Sequence, residues 1–67
     1  MKIKYFEDTD TALVELSANT VNETREINEN IYIDLDEKGR LVSMTIEHAS
    51  TLADMKEMAF QRVTAEG

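Results

Sequence analysis

The chain has 67 residues, with 7 Lys and Arg against 14 Asp and Glu and a formal net charge of −7. That length holds a single domain, residues 1–67, and so short a chain buries only about 60% of its unfolded surface. It contains no cysteine, so disulfides and thiolate metal sites cannot reinforce the small core.

Self-association is the remaining common remedy, and a homo-oligomer, with a dimer favoured, is expected. The acidic excess repels phosphates, which argues against nucleic acid as a partner. A partner steered by charge would be a basic protein. No apolar run approaches the ~18 residues of a membrane span. The stretch Met1-Lys2-Ile3-Lys4-Tyr5-Phe6-Glu7 meets charge at once and lacks the apolar region of a signal peptide, so a cytoplasmic location is expected.

In chain order, Lys2 to Glu7 alternates with period two, the pattern of a half-buried strand. Asp8-Thr9-Asp10-Thr11 favours a turn through local side-chain hydrogen bonds. Ala12 to Leu16 then returns as a strand with Ala12, Val14 and Leu16 on one face. Asn19-Thr20-Val21-Asn22 is a break, and Glu23 to Ile27 is a third strand with thin apolar support. Ile31, Ile33 and Leu35 alternate with Tyr32, Asp34 and Asp36 in a strand with one wet face.

Asp36-Glu37-Lys38-Gly39 has the chemistry of a type I turn followed by a left-handed glycine, a hairpin with a G1 bulge. Leu41 to Glu47 returns, with Val42, Met44 and Ile46 on the buried side. From Ala49 the period becomes helical through Leu52, Met55, Ala59 and Val63. Ser50 or Thr51 is the expected N-cap, Thr51 and Asp54 resemble a capping box, and the helix runs from about Ser50 to Arg62. Ala65-Glu66-Gly67 then frays. The expected class is α+β: an antiparallel meander of four to five strands packed against one C-terminal helix.

Candidate chemistry is sparse. Asp34-x-Asp36-x-Lys38-Gly39 opens like a calcium loop, but Lys38 and Thr45 stand where oxygen and bidentate carboxylate ligands are needed; the hairpin turn explains the pattern. His48 is the sole histidine, placed at a strand-to-helix junction without an evident partner. Ser17, Ser43 and Ser50 lack the glycine context of a nucleophile elbow.

Asp8 with Asp10, and Asp34 with Asp36, read as solvated structural carboxylates rather than a catalytic pair. Tyr5, Phe6, Tyr32 and Phe60 lack basic interleaving, and Lys2 and Lys4 suit the guarding of a sheet edge. Met44 and Met55 suit the core, while Met58 and Phe60 extend beyond it toward a partner subunit. No catalytic, cofactor-binding or metal-binding residue is assigned. A non-enzymatic interaction module is the expected function, with a structural homo-oligomeric subunit as the alternative. A metal-dependent hydrolase built on His48, Asp34 and Asp36 ranks below both.

The order Asp10-Thr11-Ala12-Leu13-Val14-Glu15-Leu16-Ser17, then Val21-Asn22-Glu23-Thr24-Arg25-Glu26, resembles a family of short prokaryotic proteins, the domain of unknown function 2283 family. Ile31 to Val42, with its D-x-D-x-x-G-R hairpin, and Ile46-Glu47-His48-Ala49-Ser50 carry the same resemblance, which spans residues 1–52. Ser43-Met44-Thr45 departs from the family's glycine before the last strand's I-E. Glu47-His48-Ala49 departs from its aliphatic-Asp-Ala pattern. The resemblance implies a small antiparallel sheet with a C-terminal helix and no catalytic residues to transfer. It also implies an antitoxin-like role beside a ribonuclease-like partner.

Overall fold

A computed structural model describes residues 1–55, 57 and 59–63. Five strands form one antiparallel sheet: β1 Lys2–Phe6, β2 Thr11–Glu15, β3 Glu23–Asn28, β4 Ile31–Leu35 and β5 Leu41–Ile46. A short helix, α1, follows at Ala49–Leu52. The α+β class and the five strands agree with the sequence reading, including the thinly supported β3.

The strand order is β1-β2-β5-β4-β3, which corrects the simple meander. Instead of turning directly into β3, the chain leaves β2 and crosses to the far edge, so β5 becomes the central strand. Residues 16–22 make this crossing over the ends of β5 and β4. The Leu16 and Ser17 amides both donate to the Val42 carbonyl, at 2.8 and 3.1 Å, and the Asn22 amide donates to the Leu35 carbonyl at 2.8 Å. Side-chain polarity explains the choice. Glu23, Thr24, Arg25 and Glu26 remain exposed along β3, which an edge strand allows and a central strand does not, whereas Val42, Met44 and Ile46 supply a centre.

The β4–β5 hairpin forms as its residues dictate. The Gly39 amide donates to the Asp36 carbonyl at 3.0 Å, closing the turn, and Gly39 takes φ 77°, the left-handed region that glycine enters without penalty. The Asp36 amide donates to the Arg40 carbonyl at 2.9 Å, completing the expected bulge at Gly39, and a separate register slip of one residue at Asp34/Leu35 leaves Val42 as the extra residue.

The C-terminal helix is the larger correction. Among the described residues, helical backbone is confined to Ala49–Leu52, and Ala53 is already extended at φ −152°, ψ 160°. A helix of this length depends on packing an apolar stripe rather than on propensity, and of that stripe Leu52, Ala59 and Val63 are exposed while Met55 is half-buried. The N-cap is His48, not Ser50 or Thr51. Met58 and the fray expected at 65–67 lie outside the described residues. Among the described residues the buried apolar core is Ala12, Leu35, Val42 and Ala49.

Candidate interaction surface

The strand registers assign each paired sheet residue to a face, because residues directly opposite in an antiparallel pair share one. Ile3, Val14, Met44, Ile33 and Arg25 form one row across all five strands. Tyr5, Ala12, Ile46, Ile31 and Asn28 form the next row on the same face. Their central positions are apolar and none is acidic. Val14, Met44, Ile46, Ile31 and Ile33 are nevertheless only half-buried, and Ile3 is 43% exposed. The face is therefore an apolar layer without a complete cover.

The opposite face is polar. Lys4, Leu13, Thr45, Tyr32 and Glu26 share a row, as do Lys2, Glu15, Ser43, Asp34 and Thr24. Lys4 and Glu15 form an ion pair at 3.3 Å on the β1 edge, where the two lysines were expected to act as guards. Asp34 accepts hydroxyl bonds from both neighbouring strands, Thr24 at 2.6 Å and Ser43 at 2.5 Å. It is thus a cross-strand clamp as well as a wet carboxylate. Glu26 first, and Glu47 next, raise the Tyr32 phenol above its ordinary value by repulsion, which shows an acidic field on this side.

Asp36 departs from the solvated role expected of it: it is only 5% exposed. Its Oδ1 accepts the Lys38 and Arg40 amides, each at 2.9 Å, and its Oδ2 accepts Arg40 Nε at 2.8 Å and Asn19 Nδ2 at 3.0 Å. The Arg40 amide is the strongest of the influences that hold its pKa down at about 2. A carboxylate can be buried here because donors from the turn and from the 16–22 crossing occupy both oxygens. It is a structural knot between hairpin and crossing.

A second knot joins three turns at the other end of the sheet. Asp10, at φ 55°, accepts the Tyr5 hydroxyl at 2.5 Å, the Ser50 amide at 3.0 Å and the Ser50 hydroxyl at 2.7 Å. Its carbonyl accepts the Ala49 amide at 2.9 Å. Asp10 therefore caps α1 from forty residues away in sequence. The Tyr5 bond, followed by the Ser50 hydroxyl, lowers the Asp10 pKa, and the same contact raises that of Tyr5. His48, also at φ 55°, is exposed, with Nδ1 3.0 Å from Asn30 Oδ1.

These positions separate the residues of the hydrolase reading. Asp36 lies at the β4–β5 turn, Asp34 on the polar face, and His48 beyond the far end of β5. Of the serines, Ser43 serves Asp34 and Ser50 serves Asp10. No group of three or more His, Cys, Asp or Glu among the described residues could hold a metal ion. No helix among them is long and apolar enough to cross a membrane.

Sequence reasoning missed the Asp10–Ser50 bond and the clamp on Asp34. A D-T-A turn and an A-S junction far apart in the chain carry no sign of their contact until the order β1-β2-β5 is known. The Thr24 and Ser43 hydroxyls become visible as partners of Asp34 only once register is fixed.

Fold and surface together define a small α+β domain built on one antiparallel sheet, apolar on one face and polar on the other. The family model for the protein of unknown function family DUF2283 matches residues 2–50, and the chain belongs to that family. The match takes in both knots and ends at Ser50, the residue bound to Asp10. No curated protein and no solved structure matches the chain.

Proposed function

We propose that this protein is a non-enzymatic interaction module that works by presenting surfaces to other proteins. The apolar sheet face left without a complete cover is the observation that carries this reading, since exposed contiguous apolar surface marks interaction sites. Glu26 and Glu47 lie instead beside Tyr32 on the polar face, where they favour encounter with a basic protein. An antitoxin-like role, in which this acidic side covers the basic cleft of a ribonuclease-like partner, is the specific form of the proposal. The apolar stripe Leu52, Met55, Ala59 and Val63 takes up its helix when a partner covers it, and the reaction chemistry belongs to the partner. The location is cytoplasmic.

Affinity capture from the native host with the tagged chain tests this reading. It predicts recovery of a basic protein whose retention falls as salt rises and falls again in a Glu26→Gln, Glu47→Gln variant. Failure to recover any reproducible protein contradicts it.

A further inference from the structure

We infer that the apolar sheet face is covered by a second copy of this chain, the two sheets packing face to face about a twofold axis near Met44. The inference rests on the interaction reading above and names the occupant of its apolar surface.

Surface area is the first argument. The chain exposes 5500 Å², whereas a folded chain of 7.6 kDa exposes about 4,300 Å² by the usual size scaling. The excess is about 1,200 Å², and a stable interface removes about 600–1,000 Å² from each partner. The radius of gyration points the same way, at 13.6 Å against about 11 Å for a compact chain of this length. Part of the excess comes from side chains beyond α1, where Phe60 and Val63 are each 78% exposed. On the sheet itself Val14, Met44, Ile46, Ile31 and Ile33 stay only half-buried, and pairing of the faces covers them.

The distribution of groups selects a second copy over a basic protein. The two central rows, Ile3-Val14-Met44-Ile33 and Tyr5-Ala12-Ile46-Ile31, hold no carboxylate that would select a cation. Polar groups stand at the rim instead: Arg25 with Glu23 at 2.7 Å on the β3 side, and Tyr5 with Asp10 on the β1 side. An apolar centre inside a polar rim is the usual anatomy of a homodimer interface. Met44 sits on the middle strand of five, so a twofold axis through it matches apolar centre to apolar centre.

Edge pairing is the competing arrangement. The β1 edge presents Lys2 and Lys4, and the β3 edge presents Glu23 and Glu26, so opposite edges attract. That contact is head-to-tail and does not close into a dimer, whereas face packing is self-complementary and closes.

The absence of cysteine makes a direct test clean. Met44→Cys and Thr45→Cys place single thiols on opposite faces of β5. Each is treated, across a dilution series, with a bifunctional thiol reagent spanning about 10 Å, the separation of packed sheets. The inference predicts that most of the Met44→Cys chain becomes a covalent dimer and that Thr45→Cys loses this product. Circular dichroism confirms that both variants keep the sheet. A crosslink at Thr45 equal to or stronger than that at Met44, or no crosslink at Met44 at any concentration, overturns the inference. Capture of a basic protein by the same chain would then leave the interaction reading standing while the second copy falls.

Discussion

Asp36 concentrates the fold's most demanding polar contact in one residue. A carboxylate with four donors is stabilised in its charged form, and its pKa falls from the ordinary 3.8 to about 2. Because the folded value lies below the unfolded one, the contribution is fully present above the unfolded value and is lost as pH falls toward about 2. Urea unfolding of wild type and Asp36→Asn across this range should show wild type well ahead at neutral pH and the difference shrinking below about pH 4. A difference independent of pH would contradict the assignment. Gly39 gives a second prediction. A Cβ meets nothing within 4 Å there, so Gly39→Ala should cost only the left-handed penalty, about 1–2 kcal/mol by urea denaturation.

The elements explain what could be read in advance and what could not. The β4–β5 hairpin was legible because turn chemistry and period-two alternation agree over Ile31 to Ile46. The position of β3 was not, since short-range pattern carries no information on which strand lies beside β2. The helix was over-read because Leu52, Met55, Ala59 and Val63 have the right spacing, and spacing is not packing. Asp36 looked solvated because its donors, Asn19 and Arg40, meet only when the crossing and the hairpin are both in place. The three-turn knot follows the same logic. Asp10→Ala should raise amide hydrogen exchange at Ala49 and Ser50 while leaving the β4–β5 ladder protected. Unchanged exchange at Ser50 would show that Asp10 does not hold α1.

At the scale of the molecule, stability is limited by how little the sheet encloses. For 67 residues, a total of about 3–10 kcal/mol is expected. Leu35 is one of four buried apolar residues among the described residues, so Leu35→Ala should cost about 2–5 kcal/mol and bring the chain close to unfolding, as followed by thermal denaturation. Association changes this balance, since a partner that binds only the folded form adds stability that rises with protein concentration. The charge of −7 does not oppose face packing, because the central rows of that face carry no acid. The acids remain outward, available to a basic partner.

The most direct test is the solution mass of the wild-type chain by light scattering across a dilution series. A covered sheet face predicts twice the chain mass of 7.6 kDa, falling toward the single-chain value on dilution. A single-chain mass at every concentration would contradict it.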